Sequence, residues 1–321
     1  MKLLITGAFG NLGMMCVRQS LAMGYAVRCF DVDNPATRER AAEFSGKVET
    51  VFGDIRDKAQ LENLVAGVDA IIHNASLLPP MTDLQPQLAD AINITATEEL
   101  IRVAEAQPKK PVLLFPSSIS VFGPAQIGRV MTANDPAVAS DNYTRHKVTI
   151  EKALQASSLP WCILRVGVSV DSRTLKTDRA TFTKLIATRA DNPLEYVHPC
   201  DVALAMCRAV GHPEAVGKIL LIGGGKSCQI TQNQFLGTAL RAAGLDLPPS
   251  VHGNNLFYTN WMDTTESQRI LGFQQHDFSA YQQEMADKLR VVRLFVAPLR
   301  FLLLPLLCQL LLWLQRNPVK S

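Results

Sequence analysis

Tyr143 and Lys147 are four residues apart in a stretch, 143–156, of helical pattern, so both side chains project from one helix face. Ser118 precedes them in sequence, just past an apolar run at 111–115. A phenol, an ammonium and a hydroxyl so spaced suit proton exchange at a substrate oxygen. An unperturbed tyrosine has a pKa of about 10 and is a poor base at neutral pH. A neighbouring ammonium favours phenolate and is expected to lower that value. Tyr143 can then trade a proton with a hydroxyl or carbonyl while Ser118 hydrogen-bonds the same oxygen. The bland alternative is that the pair are surface residues of an ordinary helix.

Proton exchange of this kind needs a redox partner, and the N-terminus offers a place for one. Residues 2–6 read as a strand, and 11–23 as a helix that Gly24 stops. Between them runs Gly7-Ala8-Phe9-Gly10-Asn11-Leu12-Gly13. A strand, a three-glycine turn and a helix open a dinucleotide-binding βαβ unit. Gly7 lets the chain turn, Gly10 lets a pyrophosphate approach the backbone, and Gly13 lets the helix pack on the sheet. The helix N-terminus offers unpaired N–H groups to phosphates.

The second strand, 26–31, ends in Asp31. A carboxylate there accepts from ribose hydroxyls and repels a 2′-phosphate, which favours NAD over NADP. It also fits an ordinary strand-end turn. Arg28 and Arg38 are near, and Arg38 could meet a phosphate. Asp54, after strand 48–52, either reaches the adenine amino group or caps a helix at 57–66. Strand 69–73 ends in His73, read as a packed residue, followed by small Asn74-Ala75-Ser76 that let a cofactor approach. A single helix is expected over 83–107, and strands at 111–115 and 161–166. The candidate cofactor-binding set is Gly7, Phe9, Gly10, Asn11, Leu12, Gly13, Asp31, Asp54, Ile55, Asn74, Ala75, Tyr143 and Lys147. The candidate catalytic set is Ser118, Tyr143 and Lys147, with nicotinamide exchanging hydride, its positive charge joining that of Lys147 in favouring phenolate, and Lys147 holding its ribose.

Six strands alternating with helices between positions 1 and 170 predict an α/β fold, a Rossmann-type doubly wound parallel sheet. Residues 1–170 then form the NAD-binding domain, 171–290 a small C-terminal substrate lobe, and 291–321 an apolar tail. The 321-residue length is ample for this. A net charge of +3, with no basic block interleaved with aromatics, gives no reason to expect nucleic acid. Seven cysteines, odd in number and without CxxC or Cys/His spacing, predict buried free thiols and no metal. Free thiols and an N-terminal apolar run of only 3–5 point to a cytoplasmic protein without a signal peptide.

With these residues in hand, the sequence resembles the extended short-chain dehydrogenase/reductase family. That family includes NAD-dependent epimerases and dehydratases and hydroxysteroid-dehydrogenase-like enzymes. The matching positions are Thr6-Gly7, Gly10, Gly13, Asp31, Gly53-Asp54-Ile55, Asn93, Ser117-Ser118 and Val121-Phe122-Gly123. Tyr143, Lys147, Arg165, Tyr196-Val197-His198, Asp201-Val202-Ala203, Asp263-Thr264 and Leu271-Gly272-Phe273 continue the match. The resemblance covers about residues 1–285 and implies a Ser118/Tyr143/Lys147 triad, with 197–198 near the substrate lobe. Homodimers are frequent in the family. Val166 stands where the family usually has proline, and Phe122 where its sugar-nucleotide enzymes often have tyrosine. The span from Arg165 to Val197 is short for gripping a diphosphate, although Arg173, Lys176, Arg179 and Lys184 are candidates.

The tail is uncharged between 294 and 314 except at Arg300, with basic Lys288, Arg290, Arg293, Arg316 and Lys320 around it. Pro298 and Pro305 interrupt it, and its longest uncharged run is 301–314. That run falls short of the roughly 20 residues needed to span a bilayer. Peripheral membrane contact through 291–316, at the inner face, is expected. The alternative is a helix packed on the domain or at a subunit interface. A membrane site favours a sterol- or lipid-like substrate of an NAD-dependent oxidoreductase. Two other readings stay open: a nucleotide-sugar epimerase or dehydratase, and a non-catalytic NAD(H)-binding membrane protein.

Overall fold

The computed structural model describes residues 1–172 and 179–316, with no side-chain detail at 179, 180 and 316. The first half alternates as expected. Strand β1 (Lys2–Thr6) leads through the glycine turn into α1 (Asn11–Ala22), then β2 (Ala26–Asp31). Helix α2 (Pro35–Ala41) starts at a capping box made by Asn34 and Thr37. Next come β3 (Glu49–Phe52), α3 (Lys58–Val65) and β4 (Ala70–His73).

The expected helix over 83–107 is broken into α4 (Met81–Leu84), α5 (Pro86–Asp90), a widened π turn (Ala91–Thr95) and α6 (Ala96–Glu105). Pro86 cannot continue a helix through its own nitrogen and restarts one instead. The π turn carries Asn93, whose amide is fully engaged outside the helix. Then follow β5 (Val112–Ser118), β6 (Val130–Met131), α7 (Asn142–Ala156) and β7 (Trp161–Val166).

Beyond that lie α8 (Arg179–Ala187), β8 (Pro193–Glu195), α9 (Pro199–Ala209), β9 (Lys218–Ile222), β10 (Gln229–Thr231) and α10 (Gln232–Ala242). The chain closes with β11 (Trp261–Met262), α11 (Thr265–Leu271), α12 (Phe278–Val296) and α13 (Arg300–Arg316). Gly272 ends α11 in the left-handed conformation, φ 58°.

Among the described residues the main sheet has seven parallel strands in the order β3-β2-β1-β4-β5-β7-β9. Successive residues point to opposite faces. Leu3 and Ile5 therefore enter a core with Cys16, Val17 and Met206 of α1 and α9. Leu4 enters the other core with Leu64, Leu100 and Ile150 of α3, α6 and α7. Both faces are covered, which is why these strands read as unbroken apolar runs.

Strand β9 comes from beyond residue 170, so the sheet is not completed within 1–170. The smaller lobe is held by the pairs β8–β10 and β11–β6 and by two apolar clusters beneath α10–α12 and α8–α13. Cys16, Cys29, Cys162, Cys207 and Cys228 are buried and free, and Cys200 is exposed.

Candidate functional site

Strand order reverses at β1, which lies between β2 and β4. Ligands in such sheets sit at the carboxyl ends of the strands flanking that reversal. The glycine turn follows β1, and Asn74-Ala75 follow β4. Gly7 has φ +63°, and a Cβ there would lie 2.8 Å from the Ala75 nitrogen. A Cβ on Gly13 would lie 2.0 Å from the Gly7 carbonyl oxygen. Gly10 is the N-cap of α1 and supplies no side chain to the first N–H groups of that helix, which Asn11 and half-buried Leu12 begin. Phe9 contributes backbone: its ring is buried against Phe44 and Phe52, and its carbonyl accepts from Arg40 at 2.9 Å.

Asp31 closes the turn. Its Oδ2 accepts from the Phe9 N–H at 2.7 Å and its Oδ1 from the Val32 N–H at 2.8 Å. Burial pushes this carboxyl up, while those two bonds and Arg40 hold it down. Arg38 is taken by Asp33 through paired bonds of 2.6 and 2.7 Å, and its guanidinium covers Phe52. Arg28 is buried, donating to three carbonyls at the end of α3. Both arginines expected near the ribose are thus already engaged.

Asp54 does not cap α3. Asp57 does, accepting from the Gln60 N–H at 3.3 Å, and Asp54 is clasped by Arg56. Ile55 lies in the core below. Asn74 keeps a buried Oδ1 without a hydrogen-bond partner among the described residues. His73 is a packed residue as expected, bridging Thr6 and Thr97 at 2.8 and 2.9 Å. Burial, aided by the Lys147 charge, pushes it down to about 3.

Ser118 ends β5, with its Oγ 2.8 Å from that of Ser120, and its hydroxyl lies near enough to the Tyr143 phenol to lower that group's pKa. Tyr143 and Lys147 lie on the first turns of α7, whose start is fixed by a capping box between Asp141 and Thr144. Lys147 is buried; its Nζ donates to the Pro116 carbonyl at 2.7 Å and sits 5.7 Å from the Tyr143 ring centre. Burial lowers the Lys147 pKa to about 8.

Tyr143 departs from the sequence expectation. Its pKa is raised by burial above all, with the nearby Ser118 hydroxyl lowering it and Asp141 raising it further. The Lys147 ammonium donates to the Pro116 carbonyl and faces the Phe115 ring, and it does not offset the burial of the phenol.

Two supports were not legible in the sequence. Asn93 accepts from the Ser76 hydroxyl and the Leu77 N–H, donates to the Leu77 carbonyl, and meets His146, which meets half-buried Asp90 at 2.7 Å. Arg165 and Glu151 form a buried ion pair of 2.8 Å, and Arg165 also reaches the carbonyls of Ala133 and Asp135. Ser117 donates to Glu151 at 2.5 Å, so the pair ties β5, α7 and the loop over them together.

A third cluster joins His198 and Asp201, at the start of α9, to His276, whose distance in sequence left no spacing signal. His276 and Asp201 are 2.6 Å apart, and the imidazoles stack at 4.2 Å. It fastens the start of α12 to α9. Of the proposed phosphate partners, Lys184 is exposed on α8; Arg173, Lys176 and the Arg179 side chain lie outside the described residues. Lys320 and the Arg316 side chain do too.

The pattern of the NAD dependent epimerase/dehydratase family matches residues 3–223. The chain belongs to that family. A 3-beta-hydroxysteroid dehydrogenase of Mycolicibacterium neoaurum is 28% identical over 158 residues, 47% of this chain and 42% of its own. The human sterol-4-alpha-carboxylate 3-dehydrogenase, decarboxylating, is 28% identical over 162 residues, 49% of this chain and 40% of its own. The chain thus spans less than half the length of these relatives. The Thermus thermophilus UDP-glucose 4-epimerase in complex with NAD superposes with a TM-score of 0.72 at 20% identity, covering 90% of this chain and 99% of that one.

The cofactor of this epimerase/dehydratase family is NAD. The residues present fit it. A cradle that a Cβ would fill at Gly7 and Gly13, a helix N-terminus without a side-chain cap, and an orphaned Asn74 Oδ1 surround the switch point.

Proposed function

We propose that this chain is an NAD-dependent oxidoreductase acting on a hydroxyl or ketone of an apolar, sterol- or lipid-like substrate. The observation that carries this reading is the convergence of Ser118, Tyr143 and Lys147 at the carboxyl end of β5, beside the glycine turn. NAD, when bound, supplies a hydride acceptor. Asp31 holds the adenosine ribose, and the Gly7–Gly13 turn and the start of α1 face the pyrophosphate. Tyr143 takes the proton from the substrate hydroxyl and returns it in the reverse direction. Ser118 donates to the same oxygen. Lys147 holds a positive charge near the phenol and steadies the nicotinamide ribose.

The apolar substrate is supported by the sterol chemistry in the names of two relatives and by the exposed apolar tail. The lobe formed by 171–290, apart from β9, provides the substrate side, and 291–316 the membrane contact.

A panel of 3-hydroxysterols and acyl ketones against UDP- and dTDP-sugars tests this, with NADH absorbance and product analysis together. Sterol- or acyl-dependent NADH formation is expected. Conversion of a nucleotide sugar with no turnover of apolar alcohols would establish the epimerase chemistry instead, and binding of NAD with no turnover of either class would leave a non-catalytic protein.

A further inference from the structure

Helix α12, one 3₁₀ turn (Ala297–Leu299) and α13 follow one another directly, so Pro298 interrupts the α-helix as expected while Pro305 does not. Pro298 falls in the 3₁₀ turn and Pro305 lies within α13. The run Phe278–Gln315 is 38 residues long, and by length and composition it is apolar enough to cross a membrane. At about 1.5 Å per residue such a run extends well beyond the roughly 30 Å hydrocarbon core.

Both ends of this run are seated on the same lobe. At its start Tyr281 and Met285 are buried with Phe235, and His198 meets Glu284 at 3.1 Å. In its middle Arg293 donates to the Arg241 carbonyl at 2.8 Å. A Cβ on Gly244 would lie 2.7 Å from that of Ala297, a backbone approach that only glycine permits. At its end Leu311 and Leu314 are buried with Ile186, Leu247 and Val251, and Gln315 donates to the carbonyls of Ile186 and Val251. The opposite face is bare and apolar: Phe295, Leu302, Leu306 and Leu310 are all more than half exposed. Lys288, Arg290, Arg293 and Arg300 accompany it, and residues 288–321 contain no acidic side chain.

We propose that α12–α13 is an in-plane strap, pinned to the lobe at both ends, whose outer face is the docking surface for an anionic lipid bilayer. The inference deepens the membrane contact proposed above and is independent of the substrate chemistry. A spanning orientation would have to pull Leu311 and Leu314 out of the lobe. The strap instead lays its apolar ridge into the acyl boundary while its basic side chains meet headgroups. It crosses no leaflet, so the C-terminus stays on the side of the catalytic domain. It also sets the lobe against the phase in which an apolar substrate dissolves.

The test uses full-length protein carrying a C-terminal epitope tag and sealed vesicles of phosphatidylcholine, alone or with about 30% phosphatidylglycerol. Flotation is expected with the anionic vesicles, at least about tenfold weaker with the neutral ones. Added protease should remove the tag without detergent. F295D and L302D, whose side chains point away from the lobe, should each abolish flotation while leaving the melting temperature and NAD binding unchanged. A tag protected until detergent is added would overturn the strap and leave membrane contact standing as a span. Absence of flotation by the folded wild type would overturn the contact itself. Dimerisation that F295D abolishes, without flotation, would assign the face to a second copy and overturn the proposal.

Discussion

The Lys147 ammonium lies 5.7 Å from the centre of the Tyr143 ring while donating to the Pro116 carbonyl at 2.7 Å. Burial acts on the two groups in opposite senses, raising the phenol and lowering the amine to about 8. Phenolate therefore depends on whatever positive charge remains nearby. For alcohol oxidation, kcat/KM is expected to rise with pH as Tyr143 loses its proton. K147M should move that rising limb upward, because below about pH 8 the Lys147 ammonium is the positive charge beside the phenol. Paired pH–rate profiles check this, and superimposable limbs would uncouple the residues.

The glycines should separate folding from binding. Alanine at Gly13 puts a Cβ 2.0 Å from a backbone oxygen, whereas at Gly10 the nearest atom is 3.3 Å away. G13A should lower both the melting temperature and NAD affinity. G10A should leave the melting temperature nearly unchanged and weaken NAD alone. Thermal melts with titration calorimetry read both.

Asp31 should select the cofactor. Arg38 is held by Asp33 and Arg40 donates to the Phe9 carbonyl, so the guanidiniums near Asp31 among the described residues are already engaged. The wild type should bind NADH more tightly than NADPH. D31A, losing charged hydrogen bonds to ribose and to the Phe9 N–H, should weaken NADH by roughly 10- to 100-fold. Tighter binding of NADPH by the wild type would contradict the assignment.

Glu195 gives a stability signature. Its buried carboxyl accepts from the Gly225 and Met262 N–H groups, and burial raises it to about 8. The folded state thus keeps a proton that the unfolded chain has released. That contribution is whole below about pH 4.5 and is lost progressively as pH rises to about 8. E195Q should flatten this decline, so that its melting temperature exceeds that of the wild type by a few degrees at pH 8.5 but not at pH 5. Parallel melting curves that keep one spacing at both pH values would refute it.

The sheet was legible because each strand has two buried faces and each helix one, so composition and period carried the pattern through Val166. The places of the glycine turn, Asp31 and the Tyr143–Lys147 pair were legible because they follow from local spacing. What was hidden depends on contacts between distant segments. The π turn at Asn93 answers to Leu77 and His146, and Arg165 to Glu151 and the 133–135 loop. The direction of the Tyr143 shift was missed because spacing does not show burial, which is the first cause that raises it. The tail's two anchors were likewise invisible, since Ile186 and Val251 lie far from Leu311 in sequence.

The most direct measurement is the rate of NADH formation from a 3-hydroxysterol or acyl alcohol by wild type and Y143F, with NAD affinity measured on both. The proposed chemistry predicts NAD affinity within about twofold and a rate at least about 100-fold lower in Y143F. Equal rates in the two proteins would remove Tyr143 from the mechanism and with it the reading of this site.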